Sequence, residues 1–72
     1  MNKNYEKAEK FLQRAVELMP SDPIINDHYA DVLWKQNKMI QARYFWKHAL
    51  ELEVTDEETI KKINKKIISG VN

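Results

Sequence analysis

Two stretches of the sequence, YEKAEKFLQRAVEL at residues 5–18 and MIQARYFWKHALEL at residues 39–52, match each other when one is shifted by 34 positions. Five positions are then identical. The identical pairs are Ala8 and Ala42, Phe11 and Phe45, Ala15 and Ala49, Glu17 and Glu51, and Leu18 and Leu52. A fixed period of this length indicates a repeat protein built from stacked helical or strand units.

Both stretches are predicted to form α-helices. Their apolar side chains recur at intervals of three and four residues, which places them on one stripe of a helix. The same shift carries residues 26–33 onto residues 60–67, where the apolar period is kept although the side chains differ. We therefore predict one all-α domain over residues 1–72, with about four helices in antiparallel hairpins. The predicted elements are a helix at 4–19, a helical pair at 23–54 and a last helix at 56–69.

The connections between these helices carry residues typical of helix ends. Pro20 ends the first helix, because proline has no N–H and disfavours helical geometry in the residue before it. Asp22 is predicted to cap the second helix, with Pro23 in its first turn, where the missing N–H costs nothing. Asn37 is expected to adopt a left-handed conformation and to end that helix.

The last helix has a predicted start and a predicted stop. Thr55 and Glu58 have the spacing of a capping box, in which the hydroxyl accepts a backbone N–H and the glutamate reaches back. Gly70 is a residue type that commonly ends a helix. Connections this short leave stacked antiparallel hairpins as the expected topology.

The composition is that of a small globular domain. Of the 72 residues, 43% are apolar and 32% are charged, which excludes the low hydrophobicity of a disordered chain. The absence of cysteine excludes disulfides and cysteine-based zinc sites. A net charge of +1 gives little long-range attraction for nucleic acid. No apolar run reaches the roughly 18 residues that a membrane span needs.

These features resemble the tetratricopeptide repeat (TPR) family, whose period is 34 residues. The family's second helix carries alanine, a large aromatic residue and alanine, with a proline after them. Ala42, Trp46 and Ala49 match this pattern, and the earlier copy resembles it with Ala8, Ala15 and Pro20, and with Leu12 in the aromatic place. The departures from the family's pattern are Asn26, Tyr29, Ala30, Leu33 and Val54. The resemblance implies an α-solenoid that serves as a protein-binding scaffold without a cofactor.

The phase of the resemblance implies half a repeat, one full repeat and a capping helix. We therefore expect the C-terminal fragment of a longer TPR protein. Ten lysines against two arginines, with many Ile and Asn residues, are typical of an A+T-rich bacterial genome, so a bacterial source is expected. The N-terminal segment lacks the apolar centre of a signal peptide. The cytoplasm is the default expectation, and the periplasm is the alternative if a signal lies upstream.

The resemblance also implies where a partner protein binds. Arrays of this family hold a peptide or a helix in a concave groove that is lined by the first helix of each repeat. The implied groove residues are Ile24, Asp27, Asp31, Trp34 and Lys35 on the second helix and Lys61, Lys65 and Ile68 on the last. The groove would then have an acidic wall facing a basic one, and Asp27 and Asp31 would repel a carboxylate-ended ligand. The structural alternative is that both aspartates form surface ion pairs with Lys35, Lys61 or Lys65.

Two other functions stay open at this point. Tyr5, Phe11 and Leu12 could be covered by another copy of the chain, which would make it a homo-oligomeric structural protein. A basic patch on the last helix, at residues 61–62 and 65–66, could bind nucleic acid, although such lysines more often form a solvated face.

Catalysis and metal binding are not expected. His28 and His48 are predicted on different helices, and adjacent Asp27 and His28 point in different directions. The sequence holds no cysteine and no Gly-rich phosphate loop, so no nucleophile or acid–base pair suggests itself. We predict a chain that is not an enzyme and has no metal or cofactor.

The aromatic residues are divided between core and surface. The residues expected in the core are Tyr5, Phe11, Tyr29, Phe45 and Trp46. Trp34 and Tyr44 are expected to be partly exposed, where an aromatic side chain can anchor a partner.

Overall fold

The computed structural model describes residues 3–71, and of Lys3 it describes the backbone alone. Over these residues the chain is all-α and has no strand. Its helices are α1 (Lys3–Leu18), α2 (Pro23–Lys35), α3 (Met39–Glu51) and α4 (Glu57–Ser69). Consecutive helices pack on each other as hairpins, and the contact between α2 and α3 is the most extensive. The predicted all-α fold of helical hairpins is confirmed.

The 34-residue period extends to the bounds of the helices. Adding 34 to both ends of α2 gives both ends of α4, and α3 shifted back by 34 falls inside α1. Thus α2 and α4 are counterparts, as are α1 and α3. The chain is an alternation of two helix types, with an α3-type helix first and an α2-type helix last among the described residues.

Three of the predicted helix ends are confirmed. The Asp22 carboxylate accepts the backbone N–H groups of Ile24 and Ile25, and Pro23 occupies the first turn of α2. Asn37 has a φ of 63°, the left-handed conformation expected of it. Gly70 ends α4 with a φ of 77° and donates its N–H to the Lys66 carbonyl.

The capping box predicted at Thr55 is wrong. Asp56 is the residue that caps α4, and its carboxylate accepts the Thr59 N–H at 3.1 Å. Thr55 is buried, and its hydroxyl donates to the Ala49 carbonyl at 2.6 Å. That carbonyl lies in the last turn of α3, where backbone carbonyls lack N–H partners within the helix. The Thr55 hydroxyl therefore bonds the end of α3 and does not cap α4. Asp56 stands 34 residues after Asp22, so the cap follows the repeat as well.

The core lies between α2, α3 and α4. Its buried hydrophobic residues are Tyr29, Ala30, Leu33, Ala42, Trp46, Ala49 and Ile63. Trp46 is fully buried, and the alanines around it let the helices approach closely. Of the described residues of α1, none belongs to this buried set, although Leu12 and Val16 pack against it.

Phe11 does not lie in the core, contrary to prediction. Its side chain is 74% exposed, whereas its repeat counterpart Phe45 packs on Tyr29 with ring centroids 4.7 Å apart. Tyr29 belongs to α2, the helix that covers this face of α3. The described residues contain no helix that covers the same face of α1, and this is why Phe11 stays exposed.

Asn26 fixes the connection between α1 and α2. Its side chain is fully buried, and Nδ2 donates to the carbonyls of Pro20 at 3.1 Å and Asp22 at 2.8 Å. From the other side, Nε2 of His48 lies 3.2 Å from the same Pro20 carbonyl. A polar residue in this buried position therefore serves the turn: its side chain bonds the Pro20 carbonyl and adds a second donor to the Asp22 carbonyl, which also accepts the Asn26 backbone N–H.

Gly70 should not tolerate a side chain. Its left-handed φ disfavours any other residue, and a Cβ atom there would overlap the indole ring of Trp34. We expect Gly70→Ala to lower the free energy of unfolding by about 1–3 kcal/mol, measured by urea denaturation. Ser69→Ala is the matched control, since Ser69 is exposed and helical. Equal stability of the two variants would contradict this packing.

Candidate functional site

The predicted groove residues lie on α2 and α4 but differ in accessibility. The exposed ones are Ile24, Lys35, Lys61 and Lys65. Asp31 and Trp34 are half-buried, and Asp27 is only 7% exposed. The face between the two helices is therefore open at its margins and filled along its centre.

A cluster of three charged side chains fills that centre. Nζ of Lys66 lies 3.0 Å from Oδ1 and 3.3 Å from Oδ2 of Asp27. It also lies 3.1 Å from both carboxylate oxygens of Asp31, of which Oδ2 is aligned to accept a hydrogen bond. The indole Nε1 of Trp46 donates to Oδ1 of Asp27 at 3.1 Å. We call Asp27, Asp31 and Lys66 the ion cluster.

Lys66, not Lys61 or Lys65, is the partner of the two aspartates. Helical periodicity contained a signal for this choice. On α4 the inward stripe runs through Ile63 and Ile67, and Lys66 lies nearer to that stripe than the other lysines do. A long side chain at the border of a stripe can lay its methylene groups on apolar surface and place its ammonium group in a neighbouring polar site.

The pKa values of the cluster follow from its partial burial. Burial raises the pKa of the Asp31 carboxyl, and the nearby Asp27 carboxylate raises it further, against the lowering effect of Lys66. Burial alone would lower the pKa of Lys66, but its hydrogen bonds to Asp27 and Asp31 outweigh burial, so the pKa is raised. Two carboxylates thus share one ammonium group.

Trp34 is held by the fold on three sides. Its ring lies 5.6 Å from the ring of Trp46, and the guanidinium carbon of Arg43 lies 5.3 Å from its centroid. The backbone of Gly70 closes the third side. These contacts give Trp34 a structural role in docking the end of α4.

The residues at the margins of the face are exposed. Ile24 is 47% exposed at the start of α2, and the exposed Lys35 lies at its end, with Nζ 5.9 Å from the Tyr5 ring centroid. Lys61 and Lys65 are exposed on α4. A bound segment would meet these four side chains, together with the accessible part of Asp31.

A second polar cluster, which sequence reasoning missed, joins α1 to the α2–α3 connection. The Glu9 carboxylate accepts hydrogen bonds from Nε2 of Gln36 and, at 2.9 and 3.0 Å, from Nζ of Lys38. Burial raises the pKa of Glu9, but the hydrogen bonds from Lys38 and Gln36 outweigh burial, so the pKa is lowered. No sequence signal marked this pairing, since the residues lie about 30 positions apart and outside the repeated pattern.

Residues 3–71 contain neither a candidate metal site nor a candidate membrane span. No group of three or more His, Asp or Glu side chains is placed to hold a metal ion. No helix of this part of the chain is both long and apolar enough to cross a membrane.

Comparisons of the chain with protein-family models, with curated proteins and with solved structures find no match. Any statement about function therefore depends on the contacts that the chain's own residues make.

Removal of the Lys66 ammonium group should destabilise the fold. Lys66→Met keeps the methylene chain but leaves the buried Asp27 carboxylate without its cation, at an expected cost of about 1–3 kcal/mol in chemical denaturation. Lys65→Met is the matched control, because the neighbouring lysine is exposed and should change stability by less than about 0.5 kcal/mol. A similar loss in both variants would mean that the ion cluster adds nothing specific.

Replacement of Asp31, unlike that of Lys66, should not destabilise the fold at neutral pH. Because its pKa is raised from 3.8 in the folded protein, this group favours folding below the unfolded pKa, and the benefit is lost as pH rises through the folded pKa. Asp31→Asn resembles the protonated carboxyl group. We expect its melting temperature to equal or exceed that of the parent near pH 7, with the difference shrinking towards roughly pH 3.5.

Circular dichroism melts at several pH values measure this difference between Asp31→Asn and the parent. A variant that is clearly less stable at neutral pH, and equal to the parent in acid, would show that the pairing with Lys66 outweighs burial at Asp31.

Proposed function

We propose that this chain is a non-catalytic protein-interaction module of tetratricopeptide type and bacterial origin, which binds a peptide or a helix on the face between α2 and α4. The 34-residue period supports the family, since it relates side chains, helix bounds and N-caps of successive units. The half-exposed face between two α2-type helices supports the location.

The ion cluster is the observation that carries the proposal. Two carboxylates share one ammonium group there, so the ion cluster itself has more negative than positive charge, although the exposed Lys35, Lys61 and Lys65 surround it at the margins of the face. Asp31 is the more accessible of the two aspartates, and its pKa is raised mainly by burial and further by the Asp27 carboxylate, against the lowering effect of Lys66. A lysine or arginine side chain of a partner would supply the missing positive charge.

The partner should also carry an apolar side chain. Ile24 lies seven residues before Asp31, which places both on the same side of α2 about two turns apart. An apolar and a basic side chain at a similar separation in the partner would meet both positions. A segment that ends in a free carboxylate would instead meet repulsion from Asp31.

Nucleic acid is a weaker candidate. Lys61, Lys62 and Lys65 are exposed on α4, but Glu57 and Glu58 are exposed on the same helix. Such a mixture offers few phosphate contacts, and affinity for nucleic acid grows with the number of phosphates that are neutralised.

Selection from a random displayed-peptide library against the immobilised 72-residue chain tests the proposal. We expect the selected peptides to be enriched in pairs of apolar and basic residues. In fluorescence anisotropy, Asp31→Asn should weaken their binding about tenfold, because a charged pair is lost. Replacement of Asp27 is a poor test, since that side chain is buried and its loss would affect folding.

Glu53→Gln is the matched control. It removes one exposed negative charge from the α3–α4 connection, away from the proposed face, and should leave binding unchanged. An equal loss of peptide affinity in both variants would show that the effect depends only on the net charge of the chain. Selected peptides without basic residues, or binding that survives Asp31→Asn, would contradict the proposed site.

A further inference from the structure

The helix α1 presents a face that is covered in its repeat counterpart. Three core positions of α3 are fully buried, while the corresponding positions of α1 are only half-buried. These pairs are Ala42 and Ala8, Trp46 and Leu12, and Ala49 and Ala15. The residue types are similar, so the difference lies in what covers them. In α3 the cover is α2, which makes the most extensive helix contact of the chain.

The helix α4 presents the complementary face. As the counterpart of α2, it carries Ile67 in the place of Leu33 and Ile68 in the place of Trp34. Trp34 is half-buried because it packs on Trp46 of α3. Ile68 is 82% exposed, since no α3-type helix follows α4 among the described residues.

We infer that the chain associates head to tail, with α4 of one copy packed on α1 of the next copy in the way that α2 packs on α3. Ile68 would then lie on Leu12 of the next copy, as Trp34 lies on Trp46. Phe11 of the next copy would lie beside this contact, because it precedes Leu12; Ile63, the counterpart of the Tyr29 that covers Phe45, is already buried within its own chain. Each contact of this kind completes one helix pair, with α4 from one copy and α1 from the next. Every copy carries both helices, so every copy can take part in two such contacts.

Charge favours this arrangement of two copies. Arg14 is the counterpart of His48, whose ring contacts the Pro20 carbonyl, two residues before the cap Asp22. The same geometry between copies places the Arg14 guanidinium beside the α3–α4 connection of its neighbour. Asp56, the exposed N-cap of α4, lies there with a pKa lowered by its hydrogen bonds to Thr59, so it is ionised at neutral pH.

One substitution limits the strength of the contact. Asn64 stands in the place of Ala30, the small residue at the crossing of α2 and α3. The larger, polar side chain of Asn64 would hold the two helices further apart than Ala30 does. We therefore expect a dissociation constant on the order of 10–100 µM, as for a small protein interface. The contact joins two different surfaces, so it builds open chains or rings rather than stopping at a dimer.

Sedimentation velocity of the 72-residue chain from roughly 1 to 500 µM tests the inference. The average mass should rise with concentration beyond that of a dimer. Phe11→Glu and Ile68→Glu should each abolish the rise, because each places a charge in one half of the contact. Both residues are exposed, so circular dichroism should show unchanged helix content. Ile40→Glu is the matched control: Ile40 is 85% exposed on α3, and its counterpart is already Glu6.

A mixture of the two variants distinguishes the proposed contact from other dimers. Phe11→Glu keeps an intact α4 and Ile68→Glu keeps an intact α1, so an equimolar mixture should form a 1:1 heterodimer that cannot grow. A parent chain that stays monomeric at all concentrations would overturn the inference. So would a loss of association in Phe11→Glu alone, which indicates contact between two α1 helices, or a mixture that forms no heterodimer.

The head-to-tail contact and the peptide-binding face can be tested separately. Phe11 lies on α1, away from the face between α2 and α4 that is proposed to bind peptides. Phe11→Glu should therefore bind the selected peptides with the affinity of the parent while it stays monomeric. If Phe11→Glu lost peptide binding as well as self-association, the assembly itself would create the peptide site. That result would overturn the head-to-tail contact as an independent feature.

Discussion

The hydrogen bond from the Trp46 indole to Asp27 is the contact on which the other parts of the structure depend. Trp46 is fully buried between alanines, and a buried indole N–H needs an acceptor. The acceptor is a carboxylate, which in turn is too costly to bury without a cation. Lys66 supplies that cation from α4. Burial of the Trp46 indole in α3 therefore requires an acceptor on α2 and a cation on α4.

This dependence changes the role of the acidic residues on α2. Asp27 is needed by the fold and has little capacity left for a partner, whereas Asp31 shares the same lysine and is more accessible. The proposed binding face and the structural cluster would therefore overlap in one place. Substitutions there must be chosen by burial, because the two aspartates look equivalent in the sequence and differ in what they contact.

The sequence predicts most of the fold because periodicity and end chemistry are local. The helical spacing of apolar residues, the Asp22 cap and the left-handed Asn37 need only neighbouring residues to be recognised. The wrong or missing predictions involve partners outside the element concerned, at six residues for Thr55 and at longer range for the others. The Thr55 hydroxyl is used by the end of α3, Phe11 lacks a covering helix, and Glu9 pairs across about 30 residues. Lys66 is intermediate, since the helical stripe favours it but its aspartate partners appear only in the folded chain.

The incomplete pairing of helices links stability to association. A helix pair buries its apolar stripe only when another helix lies on each side of it, so the first and last helices of any such array keep a partly exposed stripe. In this chain the buried hydrophobic core comes from α2, α3 and α4, and α1 is held by half-buried apolar contacts and by the Glu9 cluster. Apolar area that is not buried within the chain stays available to whatever can cover it. Because α1 and α4 correspond to α3 and α2 in the 34-residue period, the head-to-tail contact inferred above would give each of them a covering helix of the matching type.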